Sequence, residues 1–387
     1  MTVTELGPGP SPDLSPGFPA LLARATAEAS AWDAGTGLPR DVIDEAARTG
    51  LLGLDVPTAY GGGGAGARAV GHAAAELGAV CSSLRALLTV SGMVNAAVHR
   101  WGTAAQRQTW LPRLASGDLL AGFAATEPGA GTELAAVATR VEPHDGEVRV
   151  SGHKVWVTFG QDADVLLVLG RAPGGLTTVL VPADAPGVRR QPVTDALGLR
   201  GARLAHIGFD DVRVPADHVV GPPGFGLTHT VGTALDHGRH TVAWGCVGMA
   251  EGSLAEAAGH VARRRQADIP LSGHATVRAA VGRAHVRAEG ARSLCERAAA
   301  LRESKDREAI TATIMAKYAA ATAAAAVTRD TVQLLGAAGC TLNGRVGRFF
   351  RDAKIMQIIE GTDEVSALAI GDRVIARHTP HVRDGQR

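Results

Sequence analysis

Phe349-Phe-Arg-Asp-Ala-Lys-Ile-Met-Gln-Ile-Ile-Glu-Gly-Thr-Asp-Glu-Val365 holds a carboxylate in an unusual setting. Glu360 follows the apolar pair Ile358 and Ile359 and precedes Gly361 and Thr362. Gly361 can take backbone angles closed to other residues and suits a helix end. Thr362 can cap the helix that Glu364-Val-Ser-Ala-Leu-Ala-Ile predicts. Glu360 is therefore expected in a break between two helices, among apolar neighbours. Burial there disfavours the charged carboxylate and raises its pKa toward that of a general base.

Outward from this break the pattern stays helical. Between Gly226 and Ala376 lie long Ala-rich runs such as Ala309 to Val327, which favour a C-terminal four-helix bundle over residues 226–387. Upstream, residues 119–225 change period. Val148-Arg-Val-Ser, Val165-Leu-Leu-Val-Leu, Thr177-Thr-Val-Leu-Val and Ala205-His-Ile-Gly-Phe read as short strands, separated by turns such as Asp145-Gly146 and Pro173-Gly-Gly175. That spacing predicts a small antiparallel β-barrel or sandwich. Residues 1–118 form the first unit. From about Gly17 to Ala115 apolar residues recur at three- and four-residue spacing, and Ala74 to Arg100 reads as a core helix pair. The fold class is thus α+β in the order helical, β, helical, unlike the alternation of a Rossmann chain. Gly61 to Gly64 lacks the spacing of a phosphate loop and reads as a turn.

The 387 residues carry a net charge of +1, which points to neither nucleic acid nor an anionic membrane surface as partner. No uninterrupted apolar run of bilayer length is evident. Met1 to Pro19 lacks a secretion pattern and reads as a loose leader. Cys81, Cys246, Cys295 and Cys340 form no CxxC pair, so no metal site is expected and a reducing, cytoplasmic setting fits. Asp236-His-Gly-Arg-His240 lacks the tighter pairing of a helical metal site. Trp101, Trp110 and Trp244 read as core.

Two stretches of the β region carry chemistry. In Phe123-Ala-Ala-Thr-Glu-Pro-Gly-Ala-Gly-Thr132, Pro128, Gly129 and Gly131 force an irregular loop with accessible N–H groups, flanked by the hydroxyls of Thr126 and Thr132. In Lys154-Val-Trp-Val-Thr-Phe-Gly160, a strand would put Trp156 and Thr158 on one face, an aromatic plane beside a hydroxyl.

These residues resemble the acyl-CoA dehydrogenases, a flavin-dependent family. Phe123 to Thr132 is similar to its Thr-Glu-Pro-Gly-Ala-Gly-Ser loop, with Thr132 in the serine place, and Trp156-Val157-Thr158 is similar to its Trp-Ile-Thr. Leu199-Arg-Gly-Ala, Phe209-Asp-Asp-Val-Arg-Val-Pro215, Gln333-Leu-Leu-Gly-Ala and Arg351 to Thr362 follow in the family's order. The resemblance implies FAD, a homotetramer or homodimer with flavin sites shared between subunits, and a further electron acceptor. It assigns Glu360 as the base that removes the α-proton of an acyl thioester. Phe123, Ala125 and Thr126 would line the isoalloxazine together with Gly131, Thr132, Val157 and Thr158, and Trp156 would pack on the ring. Arg264 and Gln266 match the start of an Arg-x-Gln-Phe-Gly motif that reaches a neighbouring subunit's FAD. Gln333, Leu334, Gly336 and Ala337 would meet the ADP part, flanked by Thr362 and Glu364. Arg239, Thr132 and Gly361 would contact substrate. The family's Phe-Gly is Ala267-Asp268 here, and the second Gly of its Leu-Gly-Gly is Ala337.

Cys81-Ser-Ser-Leu-Arg-Ala-Leu-Leu-Thr-Val-Ser-Gly-Met-Val94 resembles a subgroup from polyketide clusters. That implies a three-carbon unit on an acyl carrier protein, oxidised during synthesis of a hydroxymalonyl extender unit. The competing readings are an ordinary acyl-CoA α,β-dehydrogenase, a flavin oxidase or monooxygenase on the same fold, and a non-catalytic scaffold.

Overall fold

The computed structural model describes residues 15–35 and 37–379. Most of the expected Met1–Pro19 leader, residues 1–14, lies outside the described residues, while Phe18 and Pro19 open the first helix.

Five helices come first: α1 (Phe18–Ala34), α2 (Arg40–Arg48), α3 (Ala67–Gly78), α4 (Ser82–Trp101) and α5 (Ala104–Ser116). Thr103 and Gln106 form a reciprocal capping box that starts α5. Helix α4 is buried along Ser82 to Asn95, on every face. A helix apolar all round belongs in the middle of a protein. Here α4 packs its aliphatic residues against α3 and the C-terminal helices on one side, and against the β region on the other.

Eight strands follow: β1 (Ala121–Ala124), β2 (Arg140–His144), β3 (Glu147–Val157), β4 (Val165–Ala172), β5 (Gly175–Pro182), β6 (Val188–Pro192), β7 (Ala205–Pro215) and β8 (Val219–Val220). They make one sheet in the order β6-β7-β3-β2-β4-β5-β8, with β1 added beside β4. The expected antiparallel pairing holds for most neighbours, but β1 and β2 each meet β4 in parallel, so the sheet is mixed. Val141, Val150, Val168, Val181, Ile207 and Val212 fill its inner face, the period-two pattern expected of half-buried strands.

The chain then returns to helices: α6 (Gly232–Arg263), a two-strand hairpin of β9 (Arg265–Gln266) and β10 (Ile269–Pro270), α7 (Ala275–Glu303), α8 (Ala309–Leu335), α9 (Arg345–Met356) and α10 (Asp363–His378). Ala312, Ala316, Ala320 and Ala324 give α8 a flat seam that is buried in the bundle. The segment Ala309–Cys340 is long and apolar enough, by length and composition, to cross a bilayer. Lys317, Arg329 and Asp330 interrupt it, so it is long and apolar on average without being an unbroken apolar run. Its apolar character comes from the alanines that pack α8 into the helical core.

Candidate active site

The break between α9 and α10 lies where the sequence places it. Thr362 Oγ1 accepts a bond from the Val365 N–H at 3.3 Å and caps α10. The reversal uses two residues rather than one: Glu360 has φ +56° and Gly361 φ +97°. A left-handed glutamate is strained and persists only where its surroundings hold it. Arg239 Nε donates to the Glu360 carbonyl at 2.9 Å, and Lys317 Nζ donates to the Gly361 carbonyl at 2.6 Å. Lys317 comes from the middle of α8 and is fully buried.

The Glu360 side chain reaches into a cavity, and its Oε2 is buried without a hydrogen-bond partner. Burial pushes its pKa up to about 7, against the opposing pull of the Arg239, Lys317 and Arg85 cations. A carboxylate so placed holds or releases a proton near neutrality.

The cavity encloses about 370 Å³. Its walls are α4 (Arg85, Thr89, Met93), the loop after β1 (Phe123, Ala125, Thr126, Gly131, Thr132), the end of β3 (Trp156, Thr158), Arg239 of α6, and Glu360, Gly361 and Thr362 of the break. The loop is fixed from behind by a buried ion pair. Lys154 Nζ donates to Glu127 Oε1 at 2.7 Å and to the Ala125 carbonyl at 2.9 Å. Thr139 Oγ1 and the N–H groups of Ala138 and Thr139 also donate to Glu127. Burial alone would raise the Glu127 pKa, but these donors together hold it down at about 2.

Trp156 and Thr158 both line the cavity, though not as neighbours on one face of a strand. Trp156 has φ +61°, and the β3–β7 register shifts between Lys154 and Val157. The reversal turns the indole out of the sheet, leaving it 54% exposed at the cavity wall, while Val157 points into the sheet core.

The cavity does not gather every residue named from sequence. Arg264 and Gln266 lie exposed at the end of α6 and on the β9–β10 hairpin. Gln333, Gly336 and Ala337 are exposed and Leu334 is half-buried at the end of α8, and Glu364 is exposed on the first turn of α10. Asp236, His237 and His240 turn away to other partners: Arg302, Asp55 and the Ala67 carbonyl. Conversely, Arg85 and Thr89 line the cavity and Lys154 and Lys317 brace its walls, roles that the sequence pattern does not assign. For Arg85, Lys154 and Lys317 the available signal is a lone cation inside an apolar helix or strand; Thr89 carries no such signal.

An aromatic face, a nearby hydroxyl, the loop backbone at Phe123 to Thr126 and an unpartnered carboxylate thus converge on one space. That donor and surface set fits the flat ring of a flavin. The sequence signatures of the N-terminal, middle and C-terminal domains of acyl-CoA dehydrogenase match residues 20–118, 122–212 and 224–375. The chain is 31% identical to the mitochondrial short-chain specific acyl-CoA dehydrogenase of Sus scrofa, covering 87% of this chain and 83% of that protein. Among solved structures it is similar to FkbI, described as acting in biosynthesis of the methoxymalonyl extender unit of the Fk520 polyketide. The TM-score there is 0.88 and the identity 37%, over 94% of this chain and 99% of that one. Butyryl-CoA dehydrogenase from Megasphaera elsdenii superposes with a TM-score of 0.87 at 27% identity, over 94% and 99% of the two chains. The chain belongs to the acyl-CoA dehydrogenase family and is an FAD-dependent oxidoreductase of acyl thioesters.

Proposed function

We propose that the chain oxidises a short, oxygen-bearing acyl unit held as a thioester on an acyl carrier protein, in the making of a polyketide extender unit. The observation that carries this reading is the 37% identity to FkbI along nearly the full length of both chains. The α4 segment Cys81–Val94 supports it from within, because Arg85, Thr89 and Met93 of that segment line the cavity.

FAD, when bound, supplies a two-electron acceptor for a hydride. The protein's own groups then have defined tasks. Phe123, Ala125, Thr126, Trp156 and Thr158 hold the ring, with their loop locked by the Glu127–Lys154 pair. Glu360 takes the proton that must leave as the hydride leaves. For a hydrated aldehyde, R–CH(OH)2 becomes R–COO⁻ by loss of one hydride and two protons, and Glu360 receives a hydroxyl proton. For a saturated acyl group Glu360 receives the α-proton instead. Desolvation makes it the stronger base in either case. Arg239 and Lys317 fix the backbone that carries it.

The second reading is α,β-dehydrogenation of short acyl-CoAs, favoured by the 30–32% identity to proteins named as CoA enzymes. Anaerobic bleaching of the flavin absorbance separates the two. Bleaching by three-carbon hydroxyacyl or aldehyde units on a carrier protein, and not by short acyl-CoAs, is the expected result. Bleaching by acyl-CoAs with equal or better kinetics would replace the first reading by the second.

A further inference from the structure

The cavity contains a cation that the steps above give no task beyond its pull on Glu360. Arg85 lies at the end of the first turn of α4, 1% exposed, and lines the same cavity as Glu360. Among the described residues no carboxylate lies within ion-pair distance of its guanidinium. Its hydrogen-bond partners are neutral: Thr89 Oγ1 at 2.8 Å and the Met356 sulfur at 3.3 Å. A buried charge without a counterion is costly, and burial lowers the Arg85 pKa.

The surrounding structure is shaped around this side chain. A Cβ on Gly245 of α6 would come within 2.7 Å of Arg85 Cδ, so the helix is bare where the arginine stem passes. Thr89 Oγ1 in turn lies 2.9 Å from Thr241 Oγ1, and Thr241 is anchored on the His237 and Gly238 carbonyls. The guanidinium is thus held by a short polar ladder between α4 and α6. No carboxylate forms an ion pair with it among the described residues, and the Glu360 carboxylate of the same cavity acts on it only through space.

We propose that Arg85, braced by Thr89 and Thr241, binds a carboxylate at the distal end of a short acyl group, making this site specific for malonyl-like half-thioesters over alkyl ones. A guanidinium matches a carboxylate with two parallel charge-assisted hydrogen bonds, which a hydroxyl and a thioether cannot replace. An alkyl end in the same place would leave the cation buried and unpaired. This rests on the reading above only in that the acyl unit ends in oxygen, since the product of hydrate oxidation carries that carboxylate.

The test uses FAD-loaded Glu360→Gln protein, which holds ligands without turnover. Malonyl-pantetheine and isovaleryl-pantetheine are close in shape and differ in the distal charge. Their pantetheine arm is common to CoA and carrier proteins. Calorimetric titration should show malonyl-pantetheine binding about tenfold or more tightly than the isovaleryl compound. Adding Arg85→Met should abolish or reverse that preference while leaving isovaleryl affinity within about threefold, and Arg85→Lys should keep part of it. Equal affinities with Arg85 present, or a malonyl preference that survives Arg85→Met, overturn the proposal. If Arg85→Met fails to fold, Thr89→Val keeps the charge and removes its brace. It should shrink the preference, and an unchanged preference there overturns the proposal too. A malonyl preference without bleaching by carrier-bound aldehyde units would leave the anchor standing and overturn only the oxidation reading.

Discussion

The carboxylate of Glu360 rests against the bare Cα of Gly238: a Cβ built on that glycine would lie 2.7 Å from Glu360 Oε2 and 3.0 Å from the Met93 sulfur. No real Cβ sits so close to an oxygen, so α6 is narrowed at one residue to admit the base. Gly238→Ala should push the carboxylate out of its place while leaving the flavin loop untouched. Misplacing a reacting group by about 1 Å costs on the order of a hundredfold in rate. The expected outcome is full FAD content with flavin reduction slowed by about ten- to a hundredfold. A normal reduction rate in Gly238→Ala would show that the carboxylate position is not rate-determining.

Glu360→Gln should abolish reduction by substrate and, separately, stabilise the fold at higher pH. The folded-state pKa of about 7 lies above the ordinary glutamate value, so the neutral form is the one the fold prefers. That preference is fully satisfied below the unfolded-state pKa and is lost as pH rises through 7. Wild type therefore carries a penalty that grows between about pH 4.5 and 7 and then levels. A shift of this size corresponds to about 3 kcal/mol at most. Denaturant melts at pH 5 and pH 8 should show the Gln variant gaining on wild type only toward the higher pH. Catalytically, reduction rates in wild type should rise through about pH 7 as the base ionises. A flat profile would separate Glu360 from the proton transfer.

How much of this site could be read in the sequence divides along a physical line. The helix break, the Thr362 cap and the strand cores follow from local chemistry, and the chain shows them. Trp156 does not follow: a strand pattern puts it beside Thr158, but its backbone is reversed and the sheet register slips there. Only the packing around Lys154 and His206 decides that, and no spacing rule carries it. Arg85 and Lys317 are similar. Each is a charge in an apolar helix, and its meaning depends on what the opposite helix offers. Arg264, Gln266 and Gln333 face outward, so a single chain cannot assemble their expected role.

The Glu127–Lys154 pair predicts how the flavin loop responds to damage. Lys154→Met leaves a buried carboxylate that keeps its backbone donors but loses its cation. Breaking one side of a buried ion pair typically costs about 3–5 kcal/mol. The expected result is a lower melting temperature together with weakened FAD retention, since the lysine also holds the Ala125 carbonyl. The double variant with Glu127→Gln should recover part of the stability, because no unpaired charge remains. If Lys154→Met melts like wild type, the pair does not hold the loop.

Assembly is the last expectation. Leu368 is 67% and Ile375 66% exposed on α10, and Arg264 at the end of α6, Gln266 on the hairpin and Gln333 at the end of α8 also face outward. Large aliphatic side chains left in water on one helix mark a surface to be covered. We propose that further copies cover it, in a homodimer or homotetramer, and that the outward polar residues meet cofactor across a subunit boundary. Light scattering of the FAD-loaded protein should give a mass of two or four chains. Leu368→Glu with Ile375→Glu should lower that mass and also speed FAD loss by an order of magnitude. A monomer that holds FAD as firmly as wild type would remove the shared-site expectation. It would also leave Gln333 and Gln266 as ordinary solvent-facing residues.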